Sequence, residues 1–519
     1  MAYVRKVRTA SGATAVQIAE YRDGRDRVLE HLGSAHTPEE LSALVVAARR
    51  KLAPLQDELD FLSPAAASRS LTITDKRSTA LWDSLRRVYT DLGFEVLADD
   101  VFAQLVLARV IKPTSKAGSI RELDSLGIPH AGLRSVFRCL ARVQAEDYRS
   151  KISRLCFKNA RVDGNLTLVL YDVTTLYFEA EREDELRKVG FSKERRVDPQ
   201  IVVGLLTDRT GFPLELTCWE GSKAETLTML PTVMGFLTRH GLGDLVVVAD
   251  AGMLSATNLA ALDEAGLKFI VGSRQVKAPI DLESHFHWHG DSFEDGQVID
   301  TITVRHGNCR EAVSDSRFRD EPVWDPEVHS GSWRAVWAYS RKRAVKDTRN
   351  LKKMTDRAIA VINGTKTVKS PRFVKTLQGK KILDEKALDR AHRLVGLKGY
   401  VTNMPATRIS AAELIADYHE LWLIEKSFRM SKSDLKARPI FHHTREAIEA
   451  HLTIVMAALA VSHRLQTITG KSVAKIIETL EPIHEMNVNI AGQTLHAHDQ
   501  ITPAAQTILD TLGLTWPPH

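Results

Sequence analysis

The sequence predicts an α/β core, a mixed sheet with helices on both faces, from three observations. From Leu166 onward, short apolar runs broken by turns alternate with stretches of helical spacing. Those segments follow one another as strand, strand, strand, helix, strand, helix, strand. The runs LTLVLYD (166–172) and DLVVVAD (244–250) are apolar almost throughout instead of alternating, the pattern of strands buried from both sides.

Residues 1–65 open with two β-prone runs, 3–7 and 14–18, either side of a Ser11-Gly12 turn, then become charged and helical over 39–59: a small hairpin-and-helix module. Residues 66–160 carry the spacing of several amphipathic helices. Within them SIRELDSLGIPHAGLRSVFRCLARV has a helix, a break from Gly127 to Pro129, and a second helix with Arg134, Arg138 and Arg142 four apart. That spacing puts the guanidinium groups on one face, as in the recognition helix of a helix-turn-helix; a plain helical hairpin fits the same pattern. The first part of the core, 161–275, holds strands at 166–172, 200–207, 213–219, 244–250 and 267–273, with helices over 225–239 and from a Ser255 cap to Ala265. The succession is ribonuclease-H-like. Residues 276–400 show strand-like alternation in HFHWHGDSF and WRAVWAYS. The second part of the core, 401–470, begins with a helix whose Ser410 and Glu413 form a capping box. A turn at Pro439 and a Thr444 cap then lead into an apolar helix to about Leu465. A C-terminal helical segment, 471–519, closes the chain.

With 519 residues and 44% hydrophobic content, the chain can bury cores for three or four domains. Lys and Arg exceed Asp and Glu by six (71 against 65), a balance that suits a polyanionic partner. Cys139, Cys156, Cys218 and Cys309 are far apart, which argues against a zinc ribbon or disulfide scaffold and for a reducing compartment. The N-terminal MAYVRKVRTASG has no apolar leader, and the run around 454–461 is too short to span a bilayer, so a cytoplasmic location without membrane contact is expected. ITGKS (468–472) lacks the first glycine of a phosphate loop, so no nucleotide cofactor is expected.

Asp172 and Asp250 end two of the core runs, and open α/β sheets build their sites at the carboxyl ends of strands. One such acid is commonly a cap or turn residue; two on central strands point to a shared ligand. Leu414, Tyr418, Leu421 and Phe428 recur on one helical face, and Glu425 falls in the same row. A carboxylate among core positions costs several kcal/mol unless it is met by positive charge, and Arg429 or Lys432 fits that need. Residues 341–382 hold fourteen Lys and Arg, among them Arg341, Arg343, Lys352 and Lys353, against Asp347 and Asp356. Such a surface displaces counterions from a duplex; a solvated helix face is the plainer reading. Trp333 and Trp337 are candidates for stacking on an exposed base, with core packing the alternative. His285, His287 and His289 alternate as on one strand face but lack partners at metal-ligand spacing, which favours surface histidines.

YDVTTLYF, GFSKERRVDPQIVVGLLTDRTGFPLEL, WEGSKAETLTMLP and VVVADAGMLSATNLAAL, with Tyr418, Glu425 and Lys432 at the intervals of a Tyr-Arg-Glu-Lys signature, resemble DDE insertion-sequence transposases of the ribonuclease-H-like superfamily. The likeness covers roughly 165–275 and 395–465; Leu421 stands where the signature has Arg. The resemblance implies a mainly β insertion domain over 276–400 and a catalytic, metal-binding triad of Asp172, Asp250 and Glu425. It implies two Mg²⁺ ions, with Mn²⁺ able to substitute, paired as in two-metal displacement at phosphorus. Double-stranded DNA is the implied partner, both element ends and target, with a homodimer joining two ends and a bacterial, nucleoid-associated setting. Lys193, Arg196, Tyr418, Arg429 and Lys432 are candidate DNA contacts around the scissile bond. The alternatives are a ribonuclease-H-like nuclease or resolvase without strand transfer, and a domesticated DNA-binding protein that no longer cuts. A tyrosine recombinase would need no carboxylate triad.

Overall fold

The computed structural model describes residues 2–9, 12–22, 24–52, 72–164, 166–179, 182–191, 198–243, 245–253, 255–305, 323–368, 371–438, 440–490 and 493–517. The chain divides into two compact units, Met1–Thr79 with Glu481–Thr502, and Ala80–Leu480 with Pro503–His519.

In the first unit, strands Ala2–Arg8, Thr14–Arg22 and Arg25–Ala35 form an antiparallel sheet. Val16 and Ile18 bury one face of it against Ala48 of the helix Pro38–Leu52. Strands fall at the expected 3–7 and 14–18, and the helix covers 39–52 of the expected helical stretch, 53–59 lying outside the described residues. The third strand, rich in charge, was not anticipated. A second sheet pairs Thr72–Arg77 with Glu485–Ile490, which in turn pairs with Gln493–His498. In sequence, the expected C-terminal helical segment is thus interrupted by a hairpin, preceded by helix Val473–Leu480 and followed by helix Pro503–Thr511, both of which belong to the second unit.

After the helix Thr79–Asp91, the second unit continues with helices α1 (Asp100–Ile111), α2 (Lys116–Ser125), α3 (Leu133–Ala145) and α4 (Tyr148–Val162). Asp99 caps α1 and also accepts two hydrogen bonds from Arg142 and one from the Tyr148 hydroxyl, locking α1, α3 and α4 together. Strands β1 (Leu168–Tyr177), β2 (Gln200–Asp208) and β3 (Pro213–Glu220) follow, then helix α5 (Met229–His240), β4 (Val246–Ala249), α6 (Ala256–Glu264) and β5 (Lys268–Ser273). This is the expected succession.

The region 276–400 departs from expectation. Three of its strands, β6 (Val298–Val304), β7 (Ser332–Tyr339) and β8 (Leu397–Thr402), join the same sheet in the order β6-β7-β8-β5-β4-β1-β2-β3, and among the described residues only Val374–Leu377 and Lys380–Leu383 pair apart from it, as a two-stranded hairpin. Only β1·β4 and β4·β5 are parallel among these pairs. The basic run is a 22-residue helix, α7 (Arg341–Ile362), capped by Ser340 and seated by Leu351 and Ala358 against Phe373. His285 and His287 lie on the helix Glu283–Trp288, not on a strand; His285 is buried and stacks on Phe293. Trp337 is fully buried, and its indole N–H donates to Asp281. Trp333 is buried too, edge-on to Phe269 with the Arg305 guanidinium over its ring at 3.5 Å. Neither tryptophan offers a face on which a base could stack, so the stacking reading gives way to core packing.

Beyond the sheet come helices α8 (Ala411–His419), α9 (Leu421–Arg429) and α10 (Arg445–Thr469). By length and composition α10 could cross a membrane, but 89% of its apolar window is buried inside the protein, and it packs on α1, α3 and β3. A buried Arg334 fork on β7 grips Asp300 of β6 and the carbonyls of Met404 and Ile409, fixing the segment that leads into α8.

Candidate active site

The sheet register places two of the three expected acids side by side. Tyr171 of β1 is level with Ala249 of β4 on parallel strands, so the next residues, Asp172 and Asp250, are neighbours across the pair, with strands roughly 4.8 Å apart. Successive side chains on a strand alternate faces. Tyr171 points toward α5, its hydroxyl donating to Thr228 at 2.9 Å, and the aspartates take the opposite face. Asp172 does not end its strand, as the sequence suggested. β4 stops at Ala249, while β1 runs on through Val173-Thr174-Thr175 to Tyr177, paired with β2 alone. Asp172 is half-buried and Asp250 exposed.

Tyr418 of α8 donates its hydroxyl to Asp250 Oδ1 at 2.7 Å. Burial and the charge of Asp250 raise the phenol well above its usual pKa, so the hydroxyl stays a donor. Room for it comes from Gly272, level with Asp250 on β5: a Cβ there would sit 2.5 Å from the Tyr418 hydroxyl. Tyr400 of β8 meets the Tyr418 ring edge-on at 4.9 Å, and Lys398 Nζ lies 3.3 Å from its hydroxyl. Burial pulls the Lys398 ammonium below its usual pKa, against the opposing pull of Asp250. Tyr418, expected as a DNA contact, is buried and engaged with the carboxylate instead. Lys398 was missed, although a single lysine in the apolar run LKGYVT was its visible trace.

The helix carrying the third acid is not straight. The capping box holds, Ser410 Oγ accepting from the Glu413 N–H and the Glu413 carboxylate from the Ser410 N–H, but α8 ends at His419 and α9 restarts at Leu421. Arg209, from the β2–β3 turn, holds the bend through Glu420 at 2.9 Å and Asp417 at 3.5 Å. After the bend the buried face of α9 is Leu421, Ile424, Ser427 and Phe428, and Glu425 is exposed at its edge, not in the core-facing row. α9 packs on β1 and β2, the strands at and beside Asp172, with Ser427 Oγ donating to the Gly211 carbonyl at 2.8 Å. No ion pair to Glu425 forms among the described residues, so neither Arg429 nor Lys432 neutralises it. Nor do any three His, Cys, Asp or Glu side chains among the described residues approach closely enough to hold a metal. Asp172 and Asp250 thus each follow a residue of the last β1–β4 pair, and Glu425 lies on the helix packed against β1 and β2.

Of the expected DNA contacts, Lys193 and Arg196 lie outside the described residues. Arg429 is exposed at the end of α9, and Lys432 is half-buried in the π-helical turn Met430–Asp434. Arg134 and Arg138 are exposed on α3, whereas Arg142 is spent on Asp99. On α7, Arg341, Lys352 and Lys353 are exposed. Arg343 near its start acts electrostatically on Lys398 and Tyr418, so the basic helix begins beside the site. A cavity of about 600 Å³ there is lined by Lys342, Arg343, Lys346, Lys398 and Tyr400.

The family described as "Transposase DDE domain" matches residues 164–461, more than half of the chain and all of the sheet. The chain belongs to the DDE transposase domain family. The chain is also similar to a solved structure, a piggyBac transposase synaptic complex with hairpin DNA. The identity is 10% over 78% of this chain and 68% of that one, with a TM-score of 0.36. No curated protein sequence matches. Membership in a DDE family implies metal-dependent polynucleotidyl transfer, and the large mixed sheet is consistent with a ribonuclease-H-like transposase core.

Proposed function

We propose that this chain is a DNA transposase that binds the ends of a mobile element, cuts them and joins them to target DNA. The observation that supports the reading is the β1–β4 register: Tyr171 pairs with Ala249 in the family-matched sheet, and Asp172 and Asp250 are the residues that follow. Carboxylate oxygens are hard donors, and two on neighbouring strands fit a hard divalent cation such as Mg²⁺. Bound there, metal ions would supply Lewis-acid activation of the attacking oxygen and stabilise the leaving oxygen. The chain's own residues fix the geometry: Tyr418 orients Asp250, Gly272 makes room for Tyr418, and Arg209 sets the bend from which α9 presents Glu425. Glu425, exposed and without an ion pair among the described residues, is the third carboxylate of the proposal. Arg341, Arg343, Lys352 and Lys353, with Arg429, Lys432, Lys193 and Arg196, are proposed to hold DNA phosphates, and Arg134 and Arg138 the end sequence. Two element ends call for two copies of the chain.

The test is cleavage of a plasmid carrying the gene with its own flanks, with Mg²⁺ or Mn²⁺. Asp172→Asn, Asp250→Asn and Glu425→Gln should each abolish nicking while retaining binding to the flanks. Recovery of flank joined to target DNA distinguishes a transposase from a nuclease that only hydrolyses. Full cleavage by any one variant removes that residue from the site.

A further inference from the structure

Away from the aspartate pair, the helical layer encloses a cavity of about 570 Å³ between α1, the start of α2, α3 and the segment running from Lys436 into α10. Its floor is made of nitrogen bases: Arg109, Lys116, His442 and His451 line it, and among the described residues no Asp or Glu does. Arg109 is buried, and among the described residues its guanidinium hydrogen-bonds only to carbonyls, those of Leu435 at 2.9 Å, Thr114 at 3.2 Å and Lys436 at 3.2 Å. Lys116, at the first turn of α2, is 8% exposed and makes no hydrogen bond or ion pair among the described residues. His451 is 4% exposed; its Nε2 meets the Ala437 carbonyl at 3.2 Å, and its Nδ1 is buried without a partner.

A buried guanidinium and a buried amine around one space are costly unless an anion completes them, while His451, neutral with Nε2–H on the Ala437 carbonyl, leaves only an acceptor at Nδ1. Burial and the neighbouring cations lower the pKa values of these groups. Burial, with the Arg109 charge adding to it, brings Lys116 down to about 7, and burial with the Lys116 and Arg109 charges brings His442 to about 4. Thr114 and Ser115 add hydroxyl groups at the wall, beside the N-terminus of the ten-residue α2. The rim is apolar and aromatic, with Phe137 and Phe441 each more than half exposed. The Arg109 guanidinium and the Lys116 amine beneath an aromatic rim match a phosphate that carries a flat, apolar substituent.

We propose that this cavity is a phosphate-binding site for a nucleotide, separate from the Asp172–Asp250 site. The phosphate sits against Arg109 and Lys116, and the base lies on the Phe137 and Phe441 side. The nucleotide comes either from a DNA strand or from a free pool. Because the phosphate assignment depends only on this cavity, it stands or falls independently of the transposase reading.

The test uses the full chain and two variants, Lys116→Met, which keeps the buried stem, and Arg438→Gln at the half-exposed rim. The probes are inorganic phosphate and 2′-deoxyadenosine 5′-monophosphate, each read by thermal unfolding against chloride at equal ionic strength. A fluorescein-labelled 20-base-pair duplex is read by anisotropy. Phosphate and the mononucleotide should raise the unfolding temperature of the wild type beyond chloride, and both variants should lose that gain while unfolding cooperatively on their own. If duplex affinity also falls about tenfold in the variants, the bound nucleotide belongs to DNA; if duplex affinity holds, it is a free one. No gain over chloride in the wild type, or an equal gain in all three proteins, overturns the proposal.

Discussion

Removing one oxygen atom from Tyr418 tests how the candidate site is held. Tyr418→Phe keeps the ring between Tyr400 and Gly272 and deletes only the donor to Asp250 Oδ1, a 2.7 Å bond to an ionised acceptor. Hydrogen bonds to charged groups contribute about 1.5–3 kcal/mol, and loss of a partner that orients a metal ligand typically lowers metal affinity about 10–100-fold. Asp250 is exposed, so the carboxylate survives by taking up water but loses its fixed orientation. The expected result is a rise in the Mn²⁺ dissociation constant of about 10–100-fold, with little change in unfolding temperature. The assay is titration of Mn²⁺, with free metal followed by electron paramagnetic resonance. Unchanged or tighter Mn²⁺ binding in a folded Tyr418→Phe protein would show that the tyrosine does not orient a ligand.

Gly272→Ala should act through the same contact, because its Cβ would lie 2.5 Å from the Tyr418 hydroxyl. A destabilisation of about 1–3 kcal/mol is expected, with weakened Mn²⁺ binding that does not add to that of Tyr418→Phe; full additivity in the double variant would refute the shared path. Asp281 is fully buried under Trp337, and burial raises its pKa to about 7, the Thr303 and Trp337 bonds opposing. A raised carboxyl pKa means that stability is complete below about pH 4, where both states are protonated, and falls as pH climbs through 7, by on the order of 4 kcal/mol. Asp281→Asn should flatten that slope and overtake the wild type at pH 8 in urea unfolding; identical slopes would contradict it. Removing Lys352 and Lys353 together should weaken binding to duplexes of any sequence and reduce the salt dependence by about one to two phosphate contacts. An unchanged slope takes α7 out of the DNA path.

The strands of the core were legible because each is a continuous apolar run, and so was their order. Their lengths and partners were not. Asp172 looked terminal because the apolar run stops there, but Val173, Thr174 and Thr175 are β-branched and keep pairing with β2 after β4 has ended. WRAVWAYS was readable as a strand, yet nothing local says that β7 pairs with β8 and β8 with β5, since the Tyr400–Gly272 pairing spans more than a hundred residues. That long-range pairing turned an expected insertion domain into an extension of the central sheet. The row from Leu414 to Phe428 was read as one helix; Arg209, some two hundred residues earlier, binds at the bend where it breaks and puts Glu425 at the exposed edge of α9. Trp333 and Trp337 alternate as residues of a strand should, but burial is decided by what covers the sheet, and both are covered.

Fe²⁺-directed backbone cleavage asks most directly whether the acids share metal. Fe²⁺ loaded in place of Mg²⁺, with ascorbate and peroxide, cuts the polypeptide beside its ligands, and mass spectrometry reads the new ends with and without flank DNA. The account predicts cuts next to Asp172 and Asp250 in both states, suppressed by excess Mg²⁺, and a cut next to Glu425 once DNA is bound. Cuts that never include the 425 position, or none at 172 and 250, would contradict it.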